Sequence, residues 1–303
     1  MTVRNALLGA VAAVTAVALT ACGQSAPTAA SGKIKVVSST NVWGSVVKAV
    51  GGDEVDVTAI ISDPSGDPHS YEGKPSDVTA VHDAKLVIFN GGGYDDFFAT
   101  LLDAQTEDAR KIETFVLSGK AAGHDDQGEK HEVNEHVWYD LATVHKVADQ
   151  AASDLSEIAP DRKATFEANA DRFGRKLDEL KTELEGKGKD RKVLQTEPVS
   201  HYLLDTAGVD DVTPASFSEA VESETDIPAA ALADVLGLVG RKEVVALVNN
   251  VQTENAATNQ VVAKAKEVGV PVVEVTETLP AGATGYLDWM TKQVDALVVA
   301  LGA

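Results

Sequence analysis

Apolar residues fall in short unbroken runs separated by amphipathic stretches, and this rhythm occurs twice in the chain. In the first half Ile34 to Val37 reads as a strand, 41–50 as a helix, and Val55 to Ile61 as a second strand. Residues 76–83 then read as helix, Leu86 to Phe89 as strand and 95–104 as helix. Leu86-Val87-Ile88-Phe89 is apolar throughout and closes on Asn90 and three glycines, the pattern of a strand covered on both faces. In the second half Lys192 to Gln195 predicts a strand, a helix starts at Ser200, and Asp211–Val212 is a short strand. Helix over 228–240, strand over 244–248, helix over 254–268, strand over 270–275 and helix over 286–301 complete it. Strand–helix alternation of this kind implies parallel sheets with helices on both faces.

The segment from Pro160 to Glu185 has no strand signal. Phe166, Phe173, Leu177, Leu180 and Leu184 recur at helical spacing on an otherwise charged stretch, giving one apolar stripe. Pro160 suits a first helical turn, and Gly186 and Gly188 suit its end. Such a helix would be on the order of 40 Å long. The expected architecture is therefore α/β: two lobes of parallel sheet flanked by helices, joined by one long spine helix. Its bounds are 33–159 for the first lobe, 160–187 for the spine and 188–303 for the second lobe.

The amino terminus changes the picture. Residues 6–19 are almost wholly Ala, Val and Leu, follow the single cation Arg4, and are too few to span a bilayer. They lead into Leu19-Thr20-Ala21-Cys22, which contains the chain's one cysteine. The motif resembles a bacterial lipobox, which implies a signal peptide over 1–21 and lipidation of Cys22. Residues 22–32, small and polar, read as a flexible lipid-anchored tether. A formal net charge of -21 argues against nucleic acid and against adhesion to an anionic membrane surface. Membrane association is then expected through the lipid anchor alone.

Four segments offer ligating side chains: Asp67 to Glu72 with His69, Asn134 to Asp140 with His136, Gln195 to Pro198 with Glu197, and Val275 to Pro280 with Glu277. Three of them follow strands, and open parallel sheets bind ligands beyond the carboxyl ends of their strands. Two imidazoles from one lobe and two carboxylates from the other can thus converge in a cleft, as ligands for a borderline divalent metal. Taken singly, each is more often a solvated or hydrogen-bonded surface residue, and it is the joint pattern that points to a site. Asn249, Asn250 and Gln252, at another carboxyl end, can orient such ligands by hydrogen bonds or simply form a turn. Trp138 reads as core, and His82 and His145 lie on helices without a role.

The lipobox, the Asp67-Pro68-His69-Ser70-Tyr71-Glu72 loop, the His136 segment, the spine helix and Thr276-Glu277-Thr278-Leu279-Pro280 together resemble the solute-binding lipoproteins of zinc and manganese ABC importers. The resemblance covers essentially the whole mature chain. It implies a monomeric, non-catalytic receptor outside the bacterial cell membrane that binds zinc, or else manganese, between two lobes and serves an ABC permease. It also implies the ligand set His69, His136, Glu197 and Glu277, the last where Asp is common in the family. His201, four residues beyond Glu197, is an alternative third ligand. Residues Gly123 to Glu132, with His124 and His131, resemble a short metal-gathering loop, and read equally as a plain acidic loop. Two other readings stand beside the receptor. A secreted zinc hydrolase would leave one coordination position open to water, yet neither H-E-x-x-H nor G-x-S-x-G occurs. A siderophore or metal-chelate binder of the same architecture would favour an aromatic or Arg-lined cleft.

Overall fold

The computed structural model describes residues 32–102, 109–120 and 134–302. Cys22, the segment before it and the His124–Glu132 loop lie outside the described residues. In the first half the elements are β1 (Ile34–Thr40), α1 (Asn41–Gly51), β2 (Val55–Ile61), α2 (Pro75–Asp83), β3 (Leu86–Phe89), α3 (Asp96–Leu102), β4 (Arg110–Glu113), α4 (Thr114–Ser118) and α5 (Leu141–Ile158). The long helix α6 (Lys163–Leu184) follows. The second half contains β5 (Lys192–Gln195), α7 (His201–Ala207), β6 (Asp210–Asp211), α8 (Ala215–Glu222), α9 (Ala229–Gly240), β7 (Ala246–Asn250), α10 (Ala256–Val268), β8 (Val272–Val275) and α11 (Tyr286–Leu301).

Both sheets are four-stranded and parallel, with orders β2-β1-β3-β4 and β6-β5-β7-β8. In each, the first strand in sequence is followed by one neighbour on one side and another on the opposite side. That reversal is a topological switch point, where a crevice opens beyond the strand ends. β3 is buried along its whole length, as its unbroken apolar run requires. β4 went unpredicted because it is an edge strand of sequence RKIE, in which Ile112 alone is fully buried. Val244 and Val245 precede β7 rather than begin it, although Val245 N–H already donates to Lys192 O at 2.8 Å.

The α6 stripe is buried as expected: Phe166, Phe173, Leu177, Leu180 and Leu184, with Ala170 and Gly174, face the interior. The helix is shorter than the sequence suggests, because Pro160–Arg162 forms a separate 3₁₀ turn. Its 22 residues correspond to roughly 33 Å. Gly174 lets α5 approach closely, since a Cβ there would collide with the His145 imidazole. One apolar core runs from β1 and α1 through α5 and α6 to β5, β7, β8 and α11, so it belongs to both lobes. Smaller clusters cover the far faces of the two sheets. Buried tyrosines join the lobes: Tyr286 Oη–H donates to Trp138 O at 2.6 Å and Tyr139 Oη–H to Thr276 O at 2.8 Å. Among the described residues no helix is long and apolar enough to cross a membrane.

Candidate metal centre

The crevice expected at the two switch points is present as a cleft of about 400 Å³, lined by Asp67, His69, Glu197, Glu222, Gln252 and Glu277 among others. His69 reaches it from the loop after β2. Asp67 shapes that loop, accepting from His69 N–H at 2.9 Å and from the Ser70 hydroxyl at 2.5 Å. The edge of the imidazole packs on Tyr94, with ring centroids 5.0 Å apart.

His136 lies just before α5 and is fully buried. Asn134 fixes its orientation. The Asn134 amide nitrogen donates to Pro198 O at 2.8 Å, so its Oδ1 is the atom that accepts from His136 N–H at 3.0 Å and meets His136 Nδ1 at 3.1 Å. An amide oxygen can only accept, so the imidazole proton sits on Nδ1 and the Nε2 lone pair is left available. Nε2 is buried without a hydrogen-bond partner among the described residues. Burial, with His69 and His201 nearby, holds the pKa of this histidine down at about 3. A neutral imidazole with an unclaimed buried lone pair can act as a metal ligand.

The carboxylates come from the second lobe. Glu197 follows β5, Glu277 follows β8, and Asn250 at the end of β7 holds both. Its Nδ2 donates to Glu197 Oε2 at 2.5 Å and to Glu277 Oε1 at 2.8 Å. The Thr253 hydroxyl donates to the same Glu197 oxygen at 2.5 Å. Gln252 Oε1 accepts from the Thr278 N–H at 3.1 Å and from the Glu277 N–H, fixing the turn that carries Glu277. Burial raises the pKa of Glu197, against the hydrogen bonds from Thr253 and Asn250. Burial and then the Glu197 charge push Glu277 up to about 8. Two carboxylates so close and so dry cannot both ionise cheaply without a cation between them. The buried Tyr94 hydroxyl lies near Glu277 without closing a normal hydrogen bond to it.

His69, Glu197 and Glu277 thus share the cleft wall, whereas His136 is not among its lining residues. His201, the alternative third ligand, opens α7 with its Nε2 3.3 Å from Asp205 Oδ2. Two residues escaped the sequence reading. Glu135 and Glu222 offer carboxylate oxygens that lie, with a ligating nitrogen of His136, all within 4.8 Å of one another. Glu135 Oε1 is also 3.7 Å from His69 Nε2. Glu135 could have been noticed as the neighbour of His136. Glu222 closes helix α8, which was not expected, and no strand end points to it. Trp138 is core, its ring centroid 4.4 Å from that of Tyr94. His82 and His145 pair with surface aspartates.

Residues 36–300 match the family model described as zinc-uptake complex component A, periplasmic. The chain is 26% identical over 289 residues to the zinc-binding lipoprotein AdcA of Streptococcus pneumoniae, covering 88% of this chain and 56% of that protein. It therefore spans little more than half the length of that relative. It is 27% identical over 287 residues to the manganese-binding lipoprotein MntA of Halalkalibacterium halodurans, covering 88% of both. Its fold is similar to that of the periplasmic zinc-binding protein TroA from Treponema pallidum, with a TM-score of 0.70 at 16% identity over 89% of this chain and 99% of that one.

Proposed function

The chain belongs to the family of periplasmic component A of zinc-uptake complexes, and on that premise we propose that it is a non-catalytic receptor. It captures a divalent transition-metal ion in the interlobe cleft and passes it to an ABC importer. The ion is cargo, held by His69, His136, Glu197 and Glu277. The observation that carries this reading is two buried carboxylates that share one amide donor, Asn250, together with a buried, unpartnered imidazole nitrogen on His136 in the other lobe. Each group costs free energy in the apoprotein, and a divalent cation relieves all of them at once.

Zinc is the cargo this donor set suits first. Two imidazoles and two monodentate carboxylates close a tetrahedron at about 2.0–2.2 Å, and zinc outranks manganese at nearly any such site. Manganese is the second reading, favoured by the additional carboxylates Glu135 and Glu222 beside His136, since oxygen-rich sites of higher coordination suit it. Competition titration of the apoprotein separates the two: zinc should displace bound manganese stoichiometrically, and manganese that stoichiometric zinc cannot displace would reverse the assignment.

Delivery requires that the receptor stay near its permease, which fits a lipid on Cys22, outside the cytoplasmic membrane. More than one acyl chain holds such a protein firmly to the bilayer. Mass spectrometry of the mature protein should find Cys22 acylated and amino-terminal; an unmodified Cys22 would remove the anchor.

A further inference from the structure

The proposed inner ligand set does not include Glu135 and Glu222, although both stand beside His136. Glu135 Oε, Glu222 Oε and a His136 nitrogen lie within 4.8 Å of one another, a span that one cation can bridge. The buried Nε2 of His136, which has no hydrogen-bond partner among the described residues, is available to either group of ligands. Exposure falls inward along the three. Glu222 is partly exposed at the end of α8, Glu135 is 8% exposed and His136 is 0% exposed. Glu222 also lines the same cleft as His69, Glu197 and Glu277.

We propose that Glu135, His136 and Glu222 form a second divalent-cation position beside the inner set, an alternative resting place for the ion. The proposal rests on the receptor reading above and adds to it a second position for the ion. The two positions share His136, whose single lone pair at Nε2 serves one ion at a time, so they are occupied alternately rather than together. His69, 3.7 Å from Glu135 through its Nε2, borders both positions and can take over the ion as Glu135 lets it go. The ligand class is a divalent transition metal, since one imidazole and two carboxylates suit zinc and manganese alike.

The test dismantles the inner set with near-isosteric changes. Glu197→Gln/Glu277→Gln removes its two carboxylates while leaving side chains that can still accept from Asn250, so the fold should survive. Isothermal titration with zinc should find one weakened site in this double variant. Adding Glu222→Gln should weaken it at least tenfold further, and adding Glu135→Gln instead should do the same. Adding Glu224→Gln, an equal loss of charge two residues on, should cost less than threefold. Equal losses from Glu222→Gln and Glu224→Gln would reduce the effect to general charge and overturn the proposal, as would no loss from Glu222→Gln. Failure of the receptor reading itself looks different: the wild-type chain would then bind no zinc tightly.

Discussion

Asn250→Ala tests how far the cleft depends on a residue that never needs to touch the metal. Asn250 Nδ2 donates to Glu197 at 2.5 Å and Glu277 at 2.8 Å, and both bonds are buried. A hydrogen bond to a charged partner contributes about 1.5–3 kcal/mol, and one between neutral groups about 1 kcal/mol. What matters for affinity is the difference between the apo and loaded states. In the apoprotein at pH 7, Glu277 is largely protonated, because its pKa stands at about 8. Its bond from Asn250 is then of the neutral kind. Metal binding displaces that proton, and the same bond becomes charge-assisted. Strengthening of this bond is worth the difference, about 0.5–2 kcal/mol, and with a smaller contribution from Glu197 the amide's removal costs about 0.7–2.5 kcal/mol, a loss of roughly 3- to 70-fold in affinity. That overlaps the about 10- to 100-fold range for residues that orient metal ligands. Competition with a chromophoric chelator at pH 7 measures it, with a thermal melt to verify folding. A folded Asn250→Ala variant whose zinc affinity changes by less than threefold would refute the reasoning.

The apoprotein should be most stable between about pH 5 and 6, because two groups pull in opposite directions. Glu277 is raised from 4.5 to about 8, so the native state holds its proton longer and stability is lost as pH rises through that window. His136 is lowered from 6.5 to about 3, so stability is lost as pH falls through that one. Thermal melts should show the apoprotein weakening from pH 6 to 8.5, and zinc-loaded protein or Glu277→Gln should not follow it; an apoprotein that gains stability over that range would contradict the account. Leu177 on α6 is 1% exposed, and Leu177→Ala should cost about 2–5 kcal/mol in urea unfolding. A loss below 1 kcal/mol would show that the shared core does not depend on that helix.

Much of this was legible because buried parallel strands have few ways to be written. Val55–Ile61, Leu86–Phe89, Lys192–Gln195 and Tyr286–Leu301 have the bounds their patterns suggest. The carboxyl-end rule then drew His69, Glu197 and Glu277 to one cleft, and Asn250 to its orienting place. Elements whose burial is partial left a weaker trace. β4 is an edge strand with two leading cations, α4 spans five residues, and α8 ends in the acidic run around Glu222. Glu135 and Glu222 were invisible as a pair because they are far apart in sequence and meet only when α8 is packed beside the His136 turn.

The most direct measurement of the central claim is zinc stoichiometry and affinity by titration of the wild-type apoprotein and of its His69→Ala/His136→Ala variant. His69 borders the cleft and His136 carries the unpartnered nitrogen, so removing both takes away every imidazole of the inner set. The account predicts one tight zinc per wild-type chain and a loss of at least a hundredfold in a double variant that remains folded. Undiminished affinity in that variant would place the metal elsewhere and contradict the account.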